Sequence, residues 1–235
     1  TYSIQLEQGM VVLDAIHRIQ ADQASDLGAR WNCKAGKCGS CSMEINGQPK
    51  LACMTRMNEL PTDREIIIQP LKTFPIIKDL VTDVSWNYEQ NKKITPFNPG
   101  RKKENKDRIM YQRDVDRIQE FRKCIECYLC QDVCHVIRDQ DKKDKFVGPR
   151  FMIRLASLEM HPLDKEDRIS KIKSEHGSGM CNITRCCTEV CPENIQITDN
   201  GIIPMKERVV DRFYDPLFWI YNKLFGKNLK TKELI

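Results

Sequence analysis

What these 235 residues lack narrows the field before any motif is considered. No apolar run comes near the roughly 18 residues that a membrane-spanning helix needs. Even the aromatic stretch Phe218–Tyr221 is far too short. No secretory signal is visible, and the first residue is Thr1 rather than Met, so a chain trimmed at its N-terminus is expected. Charge of one sign is not concentrated. Lys and Arg number 38 against 33 for Asp and Glu, which falls short of the dense basic surface of a nucleic-acid binder. There are only four histidines, and none alternates with cysteine in the local pattern of a Rieske site. His135 alone adjoins a cysteine of the runs described below; it could tune a potential, relay a proton or be merely structural.

Cysteine, by contrast, is abundant. The twelve fall into three tight groups of four, joined by long cysteine-free segments. Near neighbours in such runs are poorly placed to form disulfides, which require Cα separations of about 4.4–6.8 Å and suitable Cβ directions. With no secretory signal, metal binding is the better explanation.

The central group reads Cys124-x2-Cys127-x2-Cys130-x3-Cys134, the ferredoxin spacing for a cubane iron–sulfur cluster. Three thiolates two residues apart wrap one cluster, and the fourth turns away to a second. The last group, Cys181-x5-Cys187-x3-Cys191-Pro192, supplies the complement. Cys124, Cys127, Cys130 and Cys191 are therefore expected to hold a [4Fe–4S] cluster, leaving Cys134, Cys181 and Cys187. A complete second motif would need cysteine at 184, where Thr184 stands. Three thiolates suit a [3Fe–4S] cluster, with Cys186 left over as a small buried residue. Alternatively Cys186 ligates a fourth iron, making a second [4Fe–4S] cluster.

The first group, Cys33-x4-Cys38-x2-Cys41 with Cys53 following, matches the plant-type [2Fe–2S] pattern. Gly36 and Gly39 suit it, because glycine at positive φ lets backbone N–H groups face cluster sulfurs. A four-cysteine zinc site is the competing possibility, although its usual paired C-x2-C elements do not match here.

Taken in order, Tyr2, Ile4 and Leu6 alternate with polar residues and predict a strand turned by Gly9. Val12, Leu13, Ile16 and Ile19 predict a helix over about 11–24. Asn46-Gly47 predicts a hairpin between a strand with Met43 and Ile45 and a returning strand with Leu51 and Cys53. A last strand is expected over 65–69. From Pro70 to Pro99 we expect an interdomain connection with one helix from Ile76 to Val84, followed by the basic run Arg101-Lys102-Lys103, a solvated face or an acidic-partner site. Beyond Lys106 the pattern is helical: Ile109, Val115, Ile118 and Phe121, a helix opening at Pro149, and a shorter one at Ile169 and Ile172 stopped by Gly177 or Gly179. The C-terminal aromatics Phe213, Tyr214 and Phe218–Tyr221, with Lys223, Lys227, Lys230 and Lys232, fit an interfacial segment or an ordinary core helix with a basic tail. The fold class is α+β: an N-terminal plant-type [2Fe–2S] ferredoxin-like (β-grasp) domain over 1–100, then a mostly α-helical dicluster ferredoxin domain over 101–235.

The order of motifs, Cys33 to Cys53, Cys124 to Cys134, Phe146-Val147-Gly148-Pro149 and Cys181 to Cys191-Pro192, resembles the iron–sulfur subunit of succinate dehydrogenase or fumarate reductase over nearly the whole chain. The resemblance is to bacterial members of the actinobacterial type. It implies electron transport through [2Fe–2S], [4Fe–4S] and [3Fe–4S] clusters, linked to the tricarboxylic acid cycle. The partners it implies are a flavoprotein subunit carrying FAD and the dicarboxylate site, and membrane-anchor subunits with a quinone. It places the subunit peripherally at the cytoplasmic face of the bacterial plasma membrane, with no catalytic residue of its own and no nucleic acid. Departures from the family pattern are His135 for a proline, Asp139 near a tryptophan position, Asn182 for a histidine and Thr184 for an aliphatic residue, so quinone contacts do not carry over. Two other classes compete: the iron–sulfur subunit of a soluble thiol- or disulfide-linked reductase, and a zinc-stabilised binding module.

Overall fold

The Asn46-Gly47 pair turns the chain as its type requires, with φ of 50° and 77° that Gly and Asn tolerate best. It joins β1 (Ser42–Ile45) to β2 (Gln48–Leu51) in antiparallel register, Ser42 opposite Leu51 and Ile45 opposite Gln48. The computed structural model describes residues 1–61, 63–100 and 107–225. On the other side of β1 lies β3, shorter than expected at Ile68–Gln69, giving the sheet order β2-β1-β3. Helix α1 (Val12–Asp22) buries Val12, Leu13, Ala15 and Ile16 in the same core as Met43, Ile45 and Leu51 of the sheet. Asp14 Oδ2 accepts the Val11 amide at 3.1 Å, and the amides of Val12 and Leu13 donate to the carbonyls of Thr55 and Ala52. The helix start is thereby pinned beside Cys53. Burying side chains such as Leu13 and Ile16, each 1% exposed, contributes about 1.5–3 kcal/mol apiece.

Two expectations fail here, one for want of a partner and one because a distant partner intervenes. Residues 2–6 form no strand; among the described residues they have no ladder neighbour, and Tyr2 and Leu6 are exposed. The segment 76–84 is not a helix but a hairpin, β4 (Ile76–Lys78) with β5 (Val81–Thr82). Its turn carries Asp79 at φ 46°, held because Gly28 donates its amide to Asp79 Oδ2 at 2.7 Å and accepts the Leu80 amide. The helix comes later, as α2 (Ser85–Lys93), where Asp83 Oδ1 accepts the Ser85 amide at 2.8 Å.

The second half is helical, as expected. In order come α3 (Gln112–Gln119), α4 (Leu129–Asp132), α5 (His135–Arg138), α6 (Pro149–Glu159), α7 (Ile169–Ser174), α8 (Cys186–Glu189), a π-type segment Ile197–Ile202, α9 (Ile203–Tyr214) and α10 (Pro216–Phe225). Ile118 and Phe121 are buried, but Ile109 is 73% exposed and takes no part in the core. Helix α6 is the hub: Phe151, Met152, Ile153, Leu155 and Ala156 are all buried, and Gly201 lets the π-type segment approach so closely that a Cβ there would lie 2.9 Å from Ile153. The basic run 101–103 and Lys227, Lys230 and Lys232 lie outside the described residues.

The halves are stitched by polar contacts. Glu44 of β1, fully buried, pairs with Lys72 at 2.9 Å and with Arg138 of α5 at 3.2 Å. Asp132 of α4 accepts the Thr73 amide at 3.0 Å, and Gln131 Nε2 donates to Asn87 Oδ1 of α2. Arg168 donates to the carbonyls of Thr95 and Pro96 while pairing with Asp164 at 2.7 Å.

Candidate metal centres

The first cysteine group lies on the loop between α1 and β1, with Cys53 just past β2. Gly36 and Gly39 take φ of 66° and 70°, and the loop they shape aims the amides of Ala35 and Lys37 at Cys33 Sγ, both at 3.3 Å. Those amides pull the exposed Cys33 thiol down to about 7. Cys33 also interacts with Cys38, and Cys41 with Cys53, whose amide donates to Cys41 Sγ at 3.5 Å. Burial pushes Cys41 up to about 12. One edge of the group is thus open to water and ordered by backbone N–H groups, and the other faces the core.

Residues 124–134 and 181–191 turn out to be one backbone design used twice. Glu126 and Tyr128 have φ of 56° and 62°, and Ile183 and Arg185, at the same offset, 62° and 65°. A one-turn helix follows each pair, α4 and then α8. The correspondence sets Cys124 with Cys181, Cys127 with Thr184, Leu129 with Cys186, Cys130 with Cys187, and Cys134 with Cys191. Positive φ bends each loop sharply; for the β-branched Ile183 this conformation is strained. Gly148 and Gly177, with φ of 85° and 67°, mark two close approaches of the chain near these loops. A Cβ on Gly148 would meet Gln131 Oε1 of α4 at 2.0 Å, and one on Gly177 would meet the Lys145 carbonyl at 1.8 Å.

The last cysteines exchange between loops. Cys191 lines one cavity with Cys124, Cys127 and Cys130, walled by Ile153, Pro192, Ile195 and Ile197. Cys134 lies within electrostatic reach of Cys181 and Cys186, and Cys187 of all three. Burial pushes Cys127 and Cys187 up to about 12 and Cys134 up to about 11, and it holds Cys130 well above the ordinary thiol range. Cys186, half-buried, shares a hydrogen bond with Thr184 Oγ1 at 3.3 Å, and Cys187 one with Thr198 Oγ1 at 3.4 Å.

The groups adjoin in sequence. Gly39 sits so close that a Cβ there would fall 2.6 Å from Cys127 Cα, and Cys130 is in turn near Cys187. Soft sulfur donors gathered around shared cavities fit iron–sulfur clusters. Among the described residues no three His, Cys, Asp or Glu side chains converge on a point that would hold one ion. A tetrahedral zinc site would draw its sulfurs to about 2.3 Å from one centre.

One residue escapes the sequence pattern altogether. Arg150 follows Pro149 at the start of α6, lines the cavity of Cys124, Cys127, Cys130 and Cys191, and pairs through Nη2 with Glu126. Pro149 marks the helix start, but nothing local signals that the next side chain turns inward. Of the departures from the family pattern, Asp139 is exposed beside Arg138, and His135 opens α5 with Nε2 buried. Along α9 and α10, Phe213, Tyr214, Leu217, Trp219, Ile220 and Leu224 are exposed, with Lys173 over the Phe213 ring at 4.2 Å, so this is not an ordinary core helix. Among the described residues no helix is long and apolar enough to cross a membrane.

Comparison with known proteins places these observations. A family model described as a 2Fe-2S iron-sulfur cluster binding domain matches residues 1–89, and one described as a 4Fe-4S dicluster domain matches residues 120–195. The succinate dehydrogenase iron-sulfur subunit of Coxiella burnetii is 32% identical over 192 residues, covering 80% of this chain and 79% of that one. An uncharacterized iron-sulfur protein of Methanococcus maripaludis is 31% identical over 220 residues; the chain spans only 41% of that relative's length, and 41% of a similar protein of Methanocaldococcus jannaschii. Among solved structures, a chain of the Mycobacterium smegmatis Sdh1 complex in the apo form is 59% identical, with a TM-score of 0.89 over 92% of this chain and 91% of that chain.

Proposed function

The chain belongs to the family of succinate dehydrogenase and fumarate reductase iron–sulfur subunits, and on that premise we propose that it is the electron-transfer subunit of a succinate:quinone oxidoreductase. It connects a flavoprotein carrying FAD and the dicarboxylate site to a quinone at a membrane anchor, peripherally at the cytoplasmic face of the plasma membrane. Its ligands are Cys33, Cys38, Cys41 and Cys53 for [2Fe–2S]; Cys124, Cys127, Cys130 and Cys191 for [4Fe–4S]; and Cys134, Cys181 and Cys187 for [3Fe–4S]. When bound, such clusters accept and release single electrons at potentials set by their surroundings.

Continuity carries this proposal: Gly39 joins the first group to Cys127, and Cys130 joins the second group to the third. The loop repeat supports three thiolates in the third group. Thr184 takes the place of Cys127, and Cys186 takes the place of Leu129, although Cys186 is half-buried beside Cys134 and Cys187 rather than buried as expected. The chain's own contribution is to hold the thiolates at fixed separations, bury those between the halves, and keep Cys33 at the surface, where it suits a partner subunit. The exposed apolar residues of α9 and α10 favour an anchored complex over the soluble thiol-linked reductase.

The test is EPR of the natively purified complex, oxidised and then reduced, with iron and sulfide analysis. Signals of all three clusters are expected, the [3Fe–4S] signal in the oxidised state, together with succinate-dependent quinone reduction. Zinc in place of iron and sulfide, or a soluble complex without quinone-linked activity, would defeat the proposal.

A further inference from the structure

Buried arginine is uncommon because a desolvated guanidinium is costly unless its donors are matched. Arg150 has a side chain only 8% exposed, in a cavity wall that also holds four cysteines. Glu126 occupies Nη2, but Glu126 is itself 52% exposed, so solvent screens much of what it offers. Nε–H remains buried with no hydrogen-bond partner. A buried donor left unmatched costs about 1–3 kcal/mol. Two further observations indicate what matches it. Its side chain lines the same cavity as Cys124, Cys127, Cys130 and Cys191, so the unmatched donor stands among sulfur ligands. The position is also rigid, because Gly148 and Pro149 fix the start of α6 against Gln131.

We propose that Arg150 is a tuning residue for the cluster held by Cys124, Cys127, Cys130 and Cys191, donating Nε–H to a cluster sulfur and raising that cluster's reduction potential. This rests on the ligand assignment proposed above. The reduced cluster carries one more negative charge than the oxidised one, so a fixed cation and a hydrogen bond stabilise it preferentially. The effect is local. Arg185, which follows Thr184 in the second loop, turns instead to Asp199 and is 60% exposed.

The experiment is a potentiometric EPR titration of the holo complex, wild type against Arg150→Met and Arg150→Lys, with pulsed-EPR measurement of nitrogen coupling to the reduced cluster. In the wild type a guanidinium nitrogen coupling is expected. In Arg150→Met the coupling disappears and the midpoint of this cluster alone moves negative, the other two staying in place. Arg150→Lys, which keeps the charge on a flexible stem, falls between. Glu126→Gln moves the midpoint slightly the other way. A midpoint unmoved in Arg150→Met, or no nitrogen coupling in the wild type, overturns the proposal. If the Met variant does not assemble the cluster, an unmoved midpoint in the Lys variant does so. Absence of any [4Fe–4S] signal from wild-type complex would instead remove the ligand assignment itself.

Discussion

The two cysteine loops of the helical half share a backbone and differ in what hangs from it. Each passes through two left-handed residues into one turn of helix, and each ends on a cysteine that lies beside the cysteines of the other loop. Yet Cys127 answers to Thr184, Leu129 to Cys186 and Glu126 to Ile183. The backbone therefore sets where donors can stand, and the side chain decides whether a donor is present. The first loop has four thiols around its cavity and a buried cation in the wall. The second has a hydroxyl at the place of Cys127 and a thiol, Cys186, at the place of Leu129.

The sharpest way to break this difference is to erase it. Thr184→Cys makes the second loop match the first, and we expect the oxidised-state [3Fe–4S] EPR signal to be replaced by a second reduced-state [4Fe–4S] signal. Retention of the original signal would show that the loops are not equivalent. Next in size are Gly148, packed on Gln131 of α4, and Gly177, packed on Lys145. Ala at Gly148 or Gly177 combines a disfavoured positive φ with contacts at 2.0 and 1.8 Å, and each should cost about 3 kcal/mol or more by denaturant unfolding. Ala at Gly9, which also has positive φ but open space around it, should cost only about 1 kcal/mol.

A smaller effect separates the left-handed residues themselves. Ile183→Gly relieves a strained β-branched residue that is 40% exposed, and should stabilise by about 0.5–1 kcal/mol after the unfolded-state entropy is counted. Glu126→Gly gives the same backbone relief but strips Arg150 of its carboxylate, so no gain should appear in the same unfolding assay.

The smallest effect concerns the entry to the second loop. His176 is 2% exposed, and burial, aided by Lys171, Lys93 and Arg168 against the opposing Glu175, lowers its affinity for a proton below the ordinary value of 6.5. The unfolded chain then binds the extra proton first, so the contribution of His176 is present above about pH 6.5 and is lost as pH falls towards its lower folded value. Urea midpoints at pH 7.5 and 5.5 should differ less in His176→Leu than in wild type, by under about 1 kcal/mol. An equal difference in both would remove histidine from the acid response.

Much of this was legible in the sequence wherever the signal is local. Helix α1 and helix α6 followed from apolar spacing and Pro149, the β1–β2 hairpin from Asn46-Gly47, and the cluster loops from cysteine spacing alone. The failures share one cause. Residues 2–6 have a strand's alternation but no neighbouring strand, and 76–84 reads as a helix until Gly28 captures Asp79 and Leu80. Alternation and apolar spacing describe what a segment could do, whereas hydrogen bonds across 51 positions settle which option is taken.

Sequence alone determined which atoms can ligate, since thiol chemistry belongs to the residue and tight spacing survives any fold that keeps the loop. Tertiary structure alone decided that Gly39 touches Cys127, that Thr184 stands in the place of Cys127, and that Arg150 turns inward with a donor unused. These depend on how separate segments pack. Packing energy is summed over contacts between residues distant in the chain, and no local pattern carries it.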